Sequence, residues 1–400
     1  ADAAKPLSEA QSLCREMERS LSISKHFVLA AGGTGGHMVP AHALAAELIA
    51  RGHHVALVTD ARGAKIPGLF EDVQTHIIPA GRLTKNPTSW VPGVRAILSG
   101  RRKAKQLYKS FEPSVVVGFG GYPAFPALLG AFSAGIATVV HEQNAVLGRV
   151  NRLVGGRVDL IATSYPDTER MKPAWKSRTH LVGNPVRKSV VKLGTQDYPP
   201  LDDNGIFRVL VTGGSQGATV LSRVVPEGLA MLPVALRRRL QVVQQARAED
   251  VERVRVAYAG HDIPAEVHTY LTDLPERLGW AHLVIGRAGA STISELTAAG
   301  RPAILVPLPS AMDDHQTVNV REMVAAGGAR AIAEENFTPV ELAKQMQKLG
   351  LDAGGLANAA RRALTCGRPN AVRDLADLIE RIGPAVDAPK AVELKPAFAA

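Results

Sequence analysis

Two glycine-rich segments have the composition of phosphate-binding loops. Gly32-Gly33-Thr34-Gly35-Gly36-His37 follows the apolar run Phe27–Ala30, and Gly213-Gly214-Ser215-Gln216-Gly217 follows Arg208–Thr212. Glycines after a strand let the backbone approach a ligand, and the amides of the following helix attract phosphate. Met38 replaces the third glycine of a dinucleotide fingerprint, and no Walker lysine follows either segment. Nucleotide phosphate binding is one interpretation, and tight turns alone are the other.

Each loop needs a strand before it and a helix after it. Apolar runs alternate with helix-length amphipathic stretches, which is typical of parallel α/β sheets. Pro40 to Arg51 is the first predicted helix, with Pro40 near its start and Gly52 after its end. The strand, glycine turn and helix occur twice, which predicts an α/β chain of two Rossmann-like, doubly wound parallel-sheet domains. The other predicted strands are Val55–Thr59, His76–Ile78, Val115–Val117, Thr138–Val140, Leu160–Thr163, Leu181–Val182, Gln241–Gln244, Val267–Leu271, Leu283–Ile285, Ala303–Val306 and Ala329–Ile332.

The uncharged run Pro113–Val140 is the best candidate for a membrane span. Pro123, Pro126 and five glycines interrupt it, and its glycine-poor pieces are shorter than the roughly 20 residues that a span needs. We therefore predict a buried strand–loop–helix–strand unit. Residues 1–25 contain acids and lack an apolar core, so neither a signal peptide nor an anchor is expected there.

Composition excludes several classes of protein. The 400 residues are 46% hydrophobic and 21% charged, which indicates a folded chain of about two domains. The only cysteines, Cys14 and Cys366, cannot form a disulfide framework or a cysteine zinc site. The net charge of +10 is compatible with nucleic acid, an anionic membrane or a phosphorylated substrate.

Six motifs occur in one order along the chain. They are the two glycine-rich segments, Gly120-Gly121-Tyr122, His141-Glu142-Gln143-Asn144, Gly183-Asn184-Pro185-Val186-Arg187 and Ser294-Glu295. Over residues 25 to 382 the chain resembles the MurG family of peptidoglycan N-acetylglucosaminyltransferases. The resemblance implies the GT-B fold, in which two Rossmann-like domains face each other across a cleft.

The resemblance also implies a reaction. Members of that family transfer N-acetylglucosamine, with inversion and without a metal, from UDP-N-acetylglucosamine to the 4-hydroxyl of the muramoyl sugar of lipid I, which gives lipid II. No cofactor is therefore expected. The chain has no Asp-x-Asp triplet that would hold a nucleotide-bound metal, and Asp313-Asp314-His315 is a weak alternative cluster.

A direct displacement needs a base for the incoming hydroxyl. His37 is the first candidate, because histidine titrates near neutral pH and this one lies where a loop meets a helix. The alternatives for His37 are capping of its own loop and a hydrogen bond to substrate. Glu142 is the second candidate base, although it could equally orient the glycine-rich loop.

The leaving UDP needs stabilisation on the other side of the cleft. Arg187 offers a fork of donors suited to phosphate, with a surface salt bridge as the alternative. Glu295 has the chemistry to accept both ribose hydroxyls, and Gln316 and His315 would reach the sugar. By resemblance, the donor is bound by Thr34, Gly35, Gly36, Asn144, Arg187, Ser215, Gln216, Gly217, Leu271, Ala290, Ser291, Thr292, Ile293, Ser294, Glu295, His315 and Gln316. The acceptor side consists of Gly32, Gly33, Gly120, Gly121 and Tyr122.

A basic, partly apolar stretch lies between Gly81 and Phe111, with eight Lys or Arg and no acid. Apolar residues among cations suit the headgroup region of an anionic membrane, which a polyprenyl-linked acceptor would require. A core helix with a solvated basic face is the alternative. Nucleic acid is not expected, because no binding motif or stacking aromatics accompany the charge. The predicted membrane residues are Arg82, Lys85, Trp90, Val94, Ile97, Leu98, Arg101 and Arg102.

The predicted organisation is an N-terminal extension (1–24), an acceptor and membrane-docking domain (25–185), a UDP-sugar domain (186–367), a helix that returns to the first domain (368–383) and a tail (384–400). We expect a peripheral protein on the cytoplasmic side of the bacterial inner membrane, with UDP-N-acetylglucosamine, lipid I and that membrane as partners. Other cell-wall synthesis or division proteins are further candidate partners.

Three other functions remain compatible with the motifs. They are a UDP-sugar epimerase or GT-B transferase with a soluble acceptor, a non-catalytic nucleotide-binding scaffold, and a dinucleotide-dependent dehydrogenase with Asp60 on the ribose.

Overall fold

The computed structural model describes residues 24–66, 68–81, 90–202, 204–214, 217–350 and 352–384. The predicted extension before residue 24, the tail after 384, and the predicted site residues Arg82, Lys85, Ser215 and Gln216 lie outside them. Among the residues described, no helix is long and apolar enough to cross a membrane.

The first half of the chain forms a seven-stranded parallel sheet with the order β3-β2-β1-β4-β5-β6-β7. Its central strands are buried along their whole length, as expected for a sheet with helices on both faces. The strands are β1 His26–Ala31, β2 His54–Thr59, β3 Gln74–Ile77, β4 Val115–Gly120, β5 Ala137–Glu142, β6 Leu160–Thr163 and β7 Thr179–Leu181. The helices are α1 Gly35–Ala50, α2 Trp90–Phe111, α3 Ala124–Ala134, α4 Arg149–Val154 and α5 Lys188–Leu193.

The second half forms a six-stranded parallel sheet with the equivalent order β10-β9-β8-β11-β12-β13. The repeated order confirms the prediction of two doubly wound domains. The strands are β8 Phe207–Thr212, β9 Leu240–Gln245, β10 Ala265–His268, β11 Leu283–Arg287, β12 Ala303–Val306 and β13 Ala329–Ala331. The helices are α6 Thr219–Ala230, α7 Val234–Arg237, α8 Val251–Gly260, α9 Leu274–Trp280, α10 Ala290–Ala299, α11 His315–Asn319, α12 Arg321–Ala325, α13 Pro339–Gly350, α14 Ala353–Thr365 and α15 Ala371–Glu380. Short 3₁₀ turns are Gly63–Lys65, Pro173–Arg178, Met312–Asp314 and Glu334–Asn336.

The run Pro113–Val140 forms β4, α3 and β5, as predicted. Strand β4 pairs with β1 on one side and β5 on the other. The run is apolar because both faces of these strands are covered by the protein itself.

The start of α1 differs from the prediction, because the helix begins at Gly35 and Pro40 lies inside it. A proline has no amide proton, so the helical bond from position 40 to the carbonyl of Gly36 is not made. That carbonyl instead accepts the hydroxyl of Ser291 from α10, at 3.4 Å. The proline that was expected to mark the helix start therefore leaves a carbonyl available to the second domain.

The last helix, α15, packs against α1 of the first domain. Leu375, Ala376 and Ile379 belong to the same apolar core as β1. Arg51, directly after α1, bonds Asp377 and Glu380 at 2.6 and 3.0 Å. The domain boundaries drawn from the sequence remain predictions.

Candidate active site between the two sheets

The loop from β1 to α1 meets the loop after β4 at the carboxyl edge of the first sheet. These two strands are neighbours, so the segments 32–37 and 120–122 converge although they are far apart in sequence. A Cβ at Gly121, whose φ is +77°, would lie 2.5 Å from the carbonyl oxygen of Gly32. Only glycine permits this approach. The predicted acceptor residues Gly32, Gly33, Gly120, Gly121 and Tyr122 are thus brought to one edge of the sheet.

His37 lies in the first turn of α1, beside the end of β4. A Cβ at Gly120 would be 2.9 Å from the imidazole, so the ring packs directly on this glycine. The Nδ1 atom of His37 is 3.1 Å from Oε1 of Gln143, which follows the neighbouring strand β5. Three adjacent strands, β1, β4 and β5, therefore fix the position of this ring.

The pKa of His37 is lowered from its ordinary 6.5, chiefly because the ring is removed from water. The hydrogen bond to Gln143, the charge of Glu142 and the carbonyl of Phe119 act in the opposite direction and are weaker, while His315 lowers the pKa slightly further. The ring is accordingly neutral at pH 7, as a proton acceptor must be.

Glu142 is buried at the end of β5 with its carboxylate fully engaged. One oxygen accepts the main-chain and side-chain amides of Asn144 at 3.0 and 3.2 Å. The other accepts the Gly148 amide at 2.7 Å and the Asn151 side chain at 2.8 Å. A carboxylate with four donors from residues 144–151 is suited to holding that segment, which is not the glycine-rich loop that the sequence suggested. The roles of base and of glycine-loop orientation both stay predictions for Glu142.

Asp60 is committed to the loop beside it. Its carboxylate accepts the amides of Gly33 and Gly63 at 3.2 and 2.8 Å and pairs with Arg62 at 3.0 Å. Partial burial alone would raise the pKa of Asp60. The hydrogen bonds from the Gly63 amide and from Arg62, in that order, outweigh burial and hold this pKa below its ordinary value. A dehydrogenase would need this carboxylate for a ribose, so the structure does not favour that alternative.

Helix α10 faces α1 from the second domain. It begins after Gly289, and no side chain caps its first amides, which leaves them available to an anion. The predicted donor residues Ala290, Ser291, Thr292, Ile293 and Ser294 form its first turns. The hydrogen bond from Ser291 to the Gly36 carbonyl joins this helix to the start of α1. The predicted donor residues Thr34, Gly35 and Gly36 lie there, opposite α10.

Arg187 and Glu295 form the charged part of the site. Nη2 of Arg187 is 3.6 Å from Oε1 of Glu295, beyond hydrogen-bond distance, and Glu295 is only 6% exposed. Burial raises the pKa of Glu295, and the charge of Arg187 only partly opposes this. Oε1 of Glu295, Nε of Arg187 and Oδ1 of the nearby Asn184 are all buried without a hydrogen-bond partner. Unpaired buried polar atoms are costly, which points to a ligand that completes their bonding.

The segment after β12 contributes residues at the edge of the cleft. Oε1 of Gln316 accepts the amides of Ala288 and Leu308 at 3.2 and 3.0 Å, so it ties the loop before α10 to the loop after β12. Nδ1 of His315 is 2.7 Å from the carbonyl of Met312. These bonds use Oε1 of Gln316 and Nδ1 of His315, and the amide nitrogen of Gln316 and the second ring nitrogen of His315 take no part in them.

Asp313 holds the two domains together. Its two oxygens bond Arg152 and Arg170 of the first domain at 2.7 and 2.8 Å. No group of three His, Cys, Asp or Glu side chains that could hold a metal ion occurs in the part of the chain that the structure describes.

Three functional candidates were not assigned a role from the sequence. Asn319, fully buried in α11, accepts the Ala145 amide at 2.8 Å and donates to the side chain of Asn144 at 3.1 Å, across the two domains. Gln143 and His141 lie beside His37. The His-Glu-Gln-Asn motif contains His141 and Gln143, but the sequence does not show which residues their side chains bond.

The remaining donor residues lie at the carboxyl edge of the second sheet. Gly217 has a φ of +65° and its Cα faces the side chain of Arg247. Leu271 is buried and follows β10, which ends at His268 rather than at Leu271 as the apolar run predicted. Leu271 lies in the loop after β10, because pairing with β9 stops at His268.

Helix α2 has two different faces. Gly93, Gly100, Ala104, Leu107 and Tyr108 are buried against the domain. An apolar stripe on the opposite side is exposed, with Trp90, Val91, Val94 and Leu98 between 46 and 62% accessible. Of the other predicted membrane residues, Ile97 and Arg101 are half-buried and Arg102 is exposed.

Comparison with known proteins agrees with this geometry. The glycosyltransferase family 28 N-terminal domain matches residues 27–163, and the family 28 C-terminal domain matches residues 208–379. A UDP-N-acetylglucosamine--N-acetylmuramyl-(pentapeptide) pyrophosphoryl-undecaprenol N-acetylglucosamine transferase of Erythrobacter litoralis is 63% identical over 90% of each chain. The chain belongs to the MurG family of glycosyltransferases. The resemblance carried by the six motifs is thereby confirmed.

Solved structures extend the comparison to the fold of this glycosyltransferase. The crystal structure of Acinetobacter baumannii MurG is 29% identical, with a TM-score of 0.68 over 89% of this chain and 99% of the other. A UDP-N-acetylglucosamine 2-epimerase from Listeria monocytogenes also matches, with a TM-score of 0.61 over 91% of this chain and 99% of the other, but it is 15% identical and shows the fold alone. The GT-B architecture is confirmed, and the chemistry must be argued from the site.

Proposed function

We propose that this glycosyltransferase moves N-acetylglucosamine from UDP-N-acetylglucosamine to the 4-hydroxyl of the muramoyl sugar of lipid I, with inversion, to give lipid II. The observation that carries the proposal is the pairing of a neutral His37 on one wall with the unsatisfied Arg187–Glu295 group on the other. The names of the relatives, which share 90% of the chain, supply the substrates.

In this reaction the 4-hydroxyl oxygen attacks the anomeric carbon of the donor sugar while the bond from that carbon to UDP breaks. His37 takes the hydroxyl proton, and the electron pair of the broken bond leaves on the β-phosphate. Arg187 and the uncapped amides of α10 supply positive potential for the departing diphosphate.

The nucleoside end of the donor fits the unpaired atoms. The buried carboxylate of Glu295 has an oxygen without a donor, and two ribose hydroxyls are neutral donors that would satisfy it without bringing in charge. Leu271, buried in the loop after β10, would contact the nucleobase. Thr34, Gly35, Gly36 and Asn144 face the donor from the first domain, and Gln316 and His315 reach its sugar.

For the lipid acceptor, we propose that the exposed stripe of α2 docks on the cytoplasmic face of the inner membrane. Trp90, Val94 and Leu98 would enter the headgroup region, and Arg101, Arg102 and their basic neighbours would meet anionic lipid. The adjacent loops Gly32–Gly33 and Gly120–Tyr122 would then receive the headgroup sugar.

The transfer is tested by UDP release from UDP-N-acetylglucosamine in metal-free buffer, with and without a short-chain lipid I analogue. Release that depends on the analogue is expected. UDP binding without such release would redirect the proposal to another acceptor, and the absence of UDP binding would contradict it.

The docking surface is tested by co-sedimentation with vesicles that contain phosphatidylglycerol. Leu98→Glu should reduce binding, because it puts a charge in the apolar stripe and repels anionic lipid. The matched control is Val256→Glu, since Val256 is 62% exposed on α8 of the second domain. Equal loss in both variants would mean that total charge, and not this helix, drives binding.

A further inference from the structure

A chain of three side chains runs from the main chain of Gly183 to the ring of His37. Nε2 of His141 is 2.9 Å from the Gly183 carbonyl oxygen. Nε2 of Gln143 is 3.0 Å from Nδ1 of His141, and Oε1 of Gln143 is 3.1 Å from Nδ1 of His37. His141 and Gln143 are 0 and 2% exposed, so water does not compete for these bonds.

Two carbonyl groups determine where the protons in this chain lie. A carbonyl can only accept, so the His141 nitrogen beside Gly183 must carry its proton, and Nδ1 of His141 is left as an acceptor. The amide nitrogen of Gln143 is also 3.1 Å from the carbonyl of His141, which excludes the flipped amide. The remaining Gln143 oxygen can only accept, so its contact with Nδ1 of His37 requires a proton on that nitrogen; the carbonyl of Phe119 is a second acceptor near the same ring.

We propose that Gln143 and His141 are positioning residues that hold His37 in the tautomer protonated at Nδ1, so that Nε2 is its basic nitrogen. The catalytic part of this inference rests on the proposed function, in which His37 receives the hydroxyl proton. With the other tautomer, two lone pairs would face each other at Gln143, and the proton acceptor would point into the protein rather than to the substrate.

The tautomer is measured without substrate by long-range ¹H–¹⁵N spectra of protein labelled in its histidine rings, above pH 7. The His37 signal is assigned by its loss in His37→Gln. We expect His37 protonated at Nδ1 and His141 protonated at Nε2, which is the opposite pattern. His37 protonated at Nε2 in the wild-type protein would overturn the proposal.

The consequence for turnover is measured with Gln143→Met, which keeps the length of the side chain and removes its three hydrogen bonds, to His37 and to the ring and carbonyl of His141. His37 should become a mixture of tautomers, and kcat should fall about ten-fold, the factor of one such bond, with KM for the donor little changed. Gln345→Met is the matched control. Gln345 lies on α13, away from the site, and its side chain bonds Arg330 of β13 and Glu341 of α13.

The pH profile separates positioning from loss of fold. Gln143 stabilises the charged ring of His37, so Gln143→Met should move the acid limb of the kcat profile to lower pH. Glu142, His315, His141 and the carbonyl of Phe119 still face the ring in this variant. A mixed tautomer with unchanged kcat and an unmoved limb would refute the catalytic role. If the wild-type protein shows no transfer, the proposed function fails, and the tautomer is still decided by the spectrum.

Discussion

Glu142 and Glu295 are both buried carboxylates, and they lie on opposite walls of the site. Glu142, on the first domain, receives four hydrogen bonds from the loop that follows it. Glu295, on the second domain, has an oxygen without any partner and an arginine that stops 3.6 Å away. The carboxylate on the first wall is satisfied within the protein, so we call this the completed wall, whereas the carboxylate on the second wall requires donors from a ligand.

The completed wall should carry the chemical step. His37→Ala should lower kcat by about 10²- to 10⁴-fold, because the hydroxyl proton loses its acceptor, while UDP affinity stays close to that of the wild-type protein. Single-turnover kinetics and calorimetry with UDP measure the two quantities. His180→Ala, at an exposed position of β7, is the control. An unchanged kcat would remove His37 from the role of base.

Glu142→Gln should weaken the fold of the completed wall. The amide nitrogen would face two of the four donors, and bonds to a charged acceptor are worth about 1.5 to 3 kcal/mol each. We expect the free energy of unfolding of the first domain to fall by about 2 to 4 kcal/mol in urea titrations. Glu71→Gln on the surface should change it little. Equal effects of the two substitutions would mean that the loop bonds contribute nothing.

Glu295→Gln should weaken ligand binding without weakening the fold, which is the reverse of what we expect for Glu142→Gln. Removing a buried charge without a bonded partner should leave the free energy of unfolding unchanged or raise it. UDP affinity should fall about ten-fold, because a neutral amide accepts ribose hydroxyls less strongly. Calorimetry and urea titration on the same preparation test both statements. A loss of stability with full UDP affinity would reverse the contrast between the two walls.

The smallest expected effect is a dependence of stability on pH, which buried histidines cause in both domains. Burial, the largest cause in each case, lowers the pKa of His141 and of His282 from 6.5 to about 4. The unfolded chain therefore binds more protons between these values, and the free energy of unfolding falls as the pH drops through this window. From pH 7 to 5.5 each ring should account for about 1 kcal/mol. His282→Gln should flatten the titration of the second domain only, and an unaltered slope would contradict this.

Local sequence patterns were sufficient for much of the fold. Apolar runs bounded by glycine predicted thirteen strands in two tandem sheets, and each run overlaps a strand of the structure or ends next to one. The errors are at the ends of elements. Helix α1 begins at Gly35 and not at Pro40, because tertiary contacts of its first turn outweigh the preference of proline for a helix start. Strand β10 ends at His268 because its partner β9 offers no further pairing, which the apolar letters up to Leu271 do not reveal.

The sequence by itself determined the two-domain architecture, the glycine loops and the types of side chain at the site, because each depends on residues close together in the chain. Only the tertiary structure decided which polar atoms find partners. Gln143 meets His37 over a separation of 106 residues because β1, β4 and β5 are neighbours in the sheet. That same packing satisfies Glu142 and leaves Glu295 unsatisfied, since hydrogen bonding depends on distance and direction that residue letters do not encode.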